Sequence, residues 1–503
     1  MNDQETTDLD DVIIIGGGVN GCGIARDLAG RGVSVRLFEA RDLAAGTSSA
    51  STKLIHGGLR YLEHFEFALV SEALSEREKL WAIAPHIVWP LRFVLPHLKG
   101  SRPGWLIRLG LFLYDHIGSR KLLPASRSIN LEKDVAGEPL QDGVSRGSEY
   151  SDCWVDDARL VVLNARDAAN RGAHIHTRTP VVSFARDADH WRVTVKEQSE
   201  EVVYRAKTLV NAAGPGVVGL LKDNDEPTET SSRLVRGSHI VVDKLYDHDK
   251  AYFCQNEDGR IFFAIPYEQD FTLIGTTDAE HEGPASEAKA SEEELNYLCE
   301  ATNRYFKHKI SKDDIVWTYS GVRPLIQDGS NKPEAATRGY KLELSGSSDE
   351  ASLLSVFGGK ITSFREVGEA ACEKLAPLIP HMDRQSWTDQ HPLPGGEFAP
   401  LETATMSAGF TAEFDFLERS VAERYWRTYG TISRQILSGA NSISDLGQAF
   451  GHGLYQCEVD HLITNEWARE AEDVLWRRTK LGLKLDSTQQ SALAKYIQKR
   501  VGI

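Results

Sequence analysis

Residues 11–39 constrain the fold more than any other stretch of this 503-residue chain. Residues 11–15, DVIII, are a short β-branched apolar run, the pattern of a buried parallel strand, and the run stops at three glycines, Gly16 to Gly18. Gly16, Gly18 and Gly21 stand at G-x-G-x-x-G spacing. That spacing allows a tight turn, close approach of backbone to a pyrophosphate, and close packing of helix on strand. A helix is predicted over about residues 20–31, ending at Gly32, and Val33, Val35 and Leu37 then alternate along a second strand up to Glu39. The unpaired N–H groups at the start of the helix favour an anion, and Glu39 is placed to take a pair of ribose hydroxyls. Strand, helix, strand and acid in that order predict a dinucleotide-binding βαβ unit. NAD and FAD both use this unit; its place at the N-terminal end of a long chain, with βαβ-free sequence after it, points to FAD.

The unit runs on into residues 46–62, GTSSASTKLIHGGLRYL, which gather small hydroxyl residues, one Lys, one His and one Arg around paired glycines. Small residues let the backbone approach a large planar ligand. This segment resembles the first signature of the FAD-dependent glycerol-3-phosphate dehydrogenases, within the D-amino-acid-oxidase-like flavoproteins. Residues 358–369, GGKITSFREVGE, resemble the second signature of that family. YSGVRPL (319–325), VRGSHIVV (235–242) and EYSDCWVDDARL (149–160) are also similar to family segments. The C-terminal helical part is of the type the family carries.

The resemblance implies oxidation of sn-glycerol 3-phosphate at its secondary alcohol to dihydroxyacetone phosphate. Hydride would pass to flavin N5, and the electrons to a membrane quinone. It further implies non-covalent FAD and a cytoplasmic protein held peripherally on the cytoplasmic face of the inner membrane. Cofactor contacts are expected at Gly16, Gly18, Gly21, Glu39, Thr47 and Ser48, at Val182 near the adenine, at Ala213 and Gly214 of the NAAG run, and at Gly358, Gly359, Lys360, Ile361 and Thr362. His56 and His239 lie in family-like segments beside Gly or Ser, and imidazole has the pKa range of the required base. Arg323 is expected to orient the substrate oxygens. Arg60, Lys360 and Arg338 are expected to hold the phosphate, with Tyr61 donating a hydrogen bond. A flavin oxidase or amine dehydrogenase of the same superfamily, an FAD-binding protein without turnover, and an NAD-dependent dehydrogenase are the competing readings.

The formal charge of −16 argues against nucleic acid as a partner, since nonspecific binding needs a basic surface. An anionic substrate must therefore meet positive charge concentrated locally. The acidic, polar first residues do not read as a signal or transit peptide, and no apolar run reaches the ~18 residues of a spanning helix. Six scattered cysteines without CxxC or HExxH patterns read as reduced packing residues, with no metal site. Residues 89–123 mix Trp, Leu, Ile and Phe with Arg and Lys, which fits contact with an anionic membrane surface; a core helix with snorkelling basic residues fits nearly as well.

The predicted fold class is α/β: an FAD-binding Rossmann-like domain with an antiparallel β-rich substrate domain and a C-terminal helical domain. The FAD domain is expected in three pieces, 1–85, 151–230 and 346–388. The basic amphipathic segment occupies 86–150, the substrate domain 231–345, and the helical domain 389–503. Packing or self-association, for instance as a homodimer, is the default role of the last. Residues 455–481 read there as one long helical run, and residues 361–378 as the last helix of the FAD domain.

Overall fold

The computed structural model describes residues 4–98, 103–118, 120–187, 189–256, 258–327, 339–346 and 350–502. Its first strand, Gln4–Ile15, lies between Val35–Phe38 and Glu200–Asn211, parallel to both. Val12 to Ile15 are buried, as a strand covered on both faces requires. Val35–Phe38 is buried at every position too, so the alternation expected there gives way to full burial. His174–His176 extends one side of this sheet, and Ser352–Gly358 with Tyr340–Ser345 the other; Val181–Asp187 and His190–Glu197 attach through Glu200–Asn211.

The helix Val19–Gly30 packs on this sheet against the helices Asp157–Asn170 and Phe364–Leu375. Glycine makes the close approach possible: a Cβ on Gly23 would stand 2.7 Å from the Phe364 ring, and one on Gly21 only 2.0 Å from the Gly16 carbonyl oxygen. All three pieces of the chain assigned to the FAD domain meet in this layer.

The second sheet comprises ten strands among the described residues and is antiparallel apart from the pair Val88–Pro96 with Ala251–Gln255. Two boundaries expected from sequence change here. Residues 86–150 are no single amphipathic segment: Val88–Pro96, Arg127–Asn130 and Arg146–Val155 are strands of the second sheet, and among the described residues of this range only Gly104–Ile117 is α-helical. The alternation of Val88–Pro96 is masked by its two prolines and by Arg92, which pairs with Glu149 across the sheet. At the other end, Tyr340–Ser345 pairs with Ser352–Gly358 and so belongs to the cofactor sheet, not to the substrate domain.

The C-terminal region has its own core, running from Phe410 to Ile497. Its expected long run is broken. The helix Gln456–Asn465 ends before a loop, and Asp473–Arg478 forms a separate π-helical turn. Buried ion pairs explain the break, because Glu466 turns inward to Arg159 and Arg478 to Asp42. The Phe364–Leu375 helix likewise starts three residues later than expected, after a turn over residues 361–363.

Candidate active site

The long strand pair Ser232–Asp243 and Ile315–Ile326 builds the substrate side of the site. His239 faces Tyr319 in register, Gly237 faces Gly321 and Val235 faces Arg323. Because side chains alternate along a strand, Tyr319, Gly321 and Arg323 share one face with Gly237 and His239. The glycines make room: a Cβ on Gly237 would stand 2.7 Å from Arg323 Nη2, and one on Gly275 2.1 Å from the His239 ring.

That face closes one side of a cavity whose opposite wall comes from the cofactor sheet. Gly18, Val19, Asn20, Thr47, Ser48, Gly214, Pro215 and Gly358 to Thr362 line it together with Thr52, His56, Tyr61, His239 and Arg323. Ser48 Oγ accepts the Val19 N–H at 3.0 Å, and Thr47 donates to the Val322 carbonyl at 2.6 Å, which ties the loop to both sheets. Asn20 donates to the Gly358 carbonyl at 3.1 Å. Gly358 and Gly359 have φ of +69° and +86°, and a Cβ on Gly359 would stand 2.9 Å from Asn20 Nδ2. A side chain at either position would therefore be strained, and at Gly359 it would also enter the space beside Asn20.

The lining fits FAD. The N-cap residue Gly18 has no side chain of its own to cap the helix, and Asn20 Oδ1 and His239 Nδ1 are buried without a hydrogen-bond partner. Buried polar atoms in this state mark places where a ligand's polar groups complete the structure. Glu39 accepts the N–H groups of Gly17 at 2.7 Å and Arg41 at 2.8 Å, which holds its carboxylate at the end of the second strand. Burial nevertheless raises it above the usual carboxylate range.

His239 is buried, and its Nε2 is hydrogen-bonded with Thr52 Oγ1 at 2.9 Å. Burial, then the charges of Lys53 and Arg323, hold this imidazole well below its ordinary pKa, so it is neutral at pH 7. His56 lines the cavity at a half-buried position, edge-on to Phe263. Lys360 Nζ lies 4.3 Å above the Tyr61 ring. Arg323 donates to the Thr277 carbonyl and pairs with Asp278.

Several expected residues stand elsewhere. Arg60 is half-buried in the turn Leu59–His64 and is not part of the cavity lining. Gly16 and Gly21 serve packing rather than the lining, since a Cβ on Gly16 would stand 2.6 Å from the Ala212 carbonyl oxygen. Ala213 and Val182 are not among the residues that line the cavity, and Val182 is exposed on the strand Val181–Asp187. Arg338 lies outside the described residues.

Sequence reasoning missed Lys53, Asp157, Thr52, Asn20 and Tyr319. Lys53 is fully buried and binds both oxygens of Asp157 at 2.8 and 2.9 Å, joining the first signature to the segment at 149–160. The signal was present as one Lys in a loop of hydroxyls, but nothing in either segment names the partner.

A family model described as FAD dependent oxidoreductase matches residues 11–344, and one described as the C-terminal domain of alpha-glycerophosphate oxidase matches residues 386–499. Fold and site thus define an FAD-dependent oxidoreductase. The chain is 52% identical to the glycerol-3-phosphate dehydrogenase of Pseudomonas aeruginosa, over 97% of this chain and 95% of that one. It is 48% identical to the aerobic glycerol-3-phosphate dehydrogenase of Escherichia coli, over 99% and 100%. It is also 48% identical to the D-erythritol 1-phosphate dehydrogenase of Brucella abortus, over 99% and 98%. Among solved structures, the glycerol-3-phosphate dehydrogenase of Bacillus halodurans complexed with FAD superposes with a TM-score of 0.75 at 24% identity, covering 98% of this chain and 94% of that one. The chain belongs to the FAD-dependent glycerol-3-phosphate dehydrogenase family.

Proposed function

We propose that this enzyme oxidises sn-glycerol 3-phosphate to dihydroxyacetone phosphate and delivers the electrons to a membrane quinone. The observation that carries the reading is the meeting, in one cavity, of a neutral buried imidazole with the cations of Arg323 and Lys360 beside the cofactor wall. FAD, when bound, supplies the hydride acceptor. His239 Nδ1, buried and unpartnered, takes the proton of the secondary hydroxyl, while the Thr52 hydroxyl holds Nε2. Arg323 orients the substrate oxygens, and Lys360 with Tyr61 receives the phosphate. Cations confined to the cavity answer the difficulty of drawing an anion into a protein of charge −16.

A relative at 48% identity named for D-erythritol 1-phosphate supports a second reading, a longer polyol phosphate with the same terminal phosphate. Anaerobic mixing with glycerol 3-phosphate, erythritol 1-phosphate, glycerol or a D-amino acid, followed through the flavin band, separates these. Bleaching by glycerol 3-phosphate at the lowest concentration supports the first reading. Bleaching by the D-amino acid alone overturns both.

Membrane docking is part of the proposal. The helix Gly104–Ile117 buries only Leu111 and Tyr114 and exposes Trp105, Leu106, Leu109 and Phe112, with Phe65, Phe67 and Leu122 exposed as well. Apolar surface of this kind beside Arg108 and Lys121 suits the cytoplasmic face of an anionic bilayer. No helix among the described residues is long and apolar enough to cross a membrane. Co-sedimentation with anionic vesicles, lost in a Trp105→Ser/Phe112→Ser variant, tests it; equal sedimentation of the variant overturns it.

A further inference from the structure

His239 is one end of a line of aromatic rings that crosses into the C-terminal domain. Its imidazole stacks on Tyr319, with centroids 4.7 Å apart and planes 13° from parallel. Tyr319 meets Trp317 at 5.0 Å, and Trp317 stacks on Trp476 at 4.4 Å and 19°. The first three rings follow from strand geometry, because residues 317 and 319 point to the same face and His239 stands opposite Tyr319. The fourth comes from the π-helical turn Asp473–Arg478. That turn is anchored independently of the rings. Arg477 and Arg478 bind Asp42, Arg178 binds Asp473 at 2.8 Å, and Lys480 donates to the Trp476 carbonyl at 2.9 Å. Gly482 leaves the space that Trp476 needs, since a Cβ there would stand 2.5 Å from its ring.

We propose that Trp476 is a positioning residue for the His239 imidazole, acting through Trp317 and Tyr319. The C-terminal domain thereby sets the orientation of the proton acceptor from outside the cavity. This rests on the role proposed above for His239. Tyr319 is held at its other end by a 2.8 Å hydrogen bond from its hydroxyl to the Ser51 carbonyl, so a ring displaced by Trp317 tilts rather than leaves. The imidazole has little else to define its plane. Thr52 holds Nε2, Gly275 underlies the ring edge, and Nδ1 has no protein partner. The charged groups facing it are Lys53, paired with Asp157, and Arg323, paired with Asp278. None of these belongs to the C-terminal domain; Lys480 of that domain, which pairs with Asp156, reaches the imidazole only through its charge on Lys53, and the rings are the line of direct contact from Trp476 to His239.

The test uses the FAD-loaded enzyme and three variants: Trp476→Leu, Trp476→Phe, which keeps a ring face, and Lys484→Ala, which cuts a pair with Asp270 at the same domain junction outside the stack. The His239 ring is titrated by NMR, its signal assigned by its loss in His239→Gln, and kcat and KM are measured separately for flavin reduction. We expect Trp476→Leu to lower kcat about tenfold, the scale of a small misplacement of a reacting group, with KM within about twofold of wild type. The acid limb of the kcat profile and the ring titration should both move towards the ordinary imidazole value, as water gains access. Trp476→Phe should recover most of this, and Lys484→Ala should match wild type. An unchanged His239 titration and kcat in Trp476→Leu overturn the inference, as do equal losses in all three variants. Should the leucine variant not fold, Trp476→Met fills similar volume without a ring face and carries the same comparison. If glycerol 3-phosphate fails to reduce the wild-type flavin, the proposed substrate falls, while the NMR comparison still decides the role of Trp476.

Discussion

His239 and Tyr319 stand directly opposite each other on paired antiparallel strands, and their rings lie face to face. Cross-strand pairing fixes where the imidazole starts, and the stack fixes its plane. A group held in this way works as a base only if its free nitrogen faces the reacting hydroxyl. His239→Gln should therefore lower kcat by about 10²- to 10⁴-fold, the usual worth of a general base, with the flavin absorbance of the purified protein unchanged. His56→Gln should cost far less. A wild-type kcat in His239→Gln would remove the residue from the proton transfer.

Lys360 lies over the Tyr61 ring, between the cofactor wall and the substrate face. If the pair receives the phosphate, Lys360→Met keeps the stem and removes the charge. A lost charge-assisted hydrogen bond is worth about 1.5–3 kcal/mol, roughly ten- to hundredfold in KM. Glycerol, which has no phosphate, should lose nothing. Initial rates against both substrates check this, and an equal loss for glycerol would mean that Lys360 acts on the cofactor instead.

The βαβ start of the cofactor sheet was legible because each demand of that unit falls on neighbouring residues. The turn at Gly16 to Gly18, the acid at Glu39 and the small residues from Gly46 to Ser51 all follow from local geometry. The substrate half was legible only as isolated residues. His239 and Arg323 were named, but their shared face depends on a pairing across more than eighty residues, and sequence periodicity carries no register. The partners hidden by long separation were missed altogether: Asp157 for Lys53, Asp42 for Arg478, Trp476 for Trp317. The Val88–Pro96 strand was misread for a different reason. A central strand that carries two prolines and a paired arginine shows neither the alternation nor the apolar run by which strands are recognised.

His86 gives the domain junction a pH dependence. The ring is buried against Gly395 and Gly430, both nitrogens lack partners, and burial, followed by the Arg159 charge, pushes its pKa down to about 3. A depressed pKa means that the unfolded chain binds a proton the folded one refuses. The stability it contributes is whole above about pH 6.5 and is lost as pH falls towards 3. From pH 7 to pH 5 the loss from this group is about 2 kcal/mol. Urea midpoints at the two pH values should show that difference in wild type and a smaller one in His86→Leu. Equal slopes in the two proteins would show that the ring protonates in place.

Asp42 stands three residues after Glu39 and binds Arg478 through both oxygens, at 2.6 and 2.8 Å, with Arg477 on the same carboxylate. Arg478 and Asp42 are both buried. A pair like this adds little over apolar residues of the same size, but removing one partner strands the other charge at about 3–5 kcal/mol. Asp42→Asn keeps the shape and should lower the melting temperature sharply. Adding Arg478→Met to Asp42→Asn removes the stranded guanidinium and should restore part of that loss, even though a second ion pair has gone. The same comparison reaches function, because the Asp42 carboxylate joins the end of the cofactor-binding βαβ unit to the turn that carries Trp476. If the double variant recovers its melting temperature and its flavin but not its kcat, then the pair matters for where it holds that turn, and not for how tightly the domains adhere.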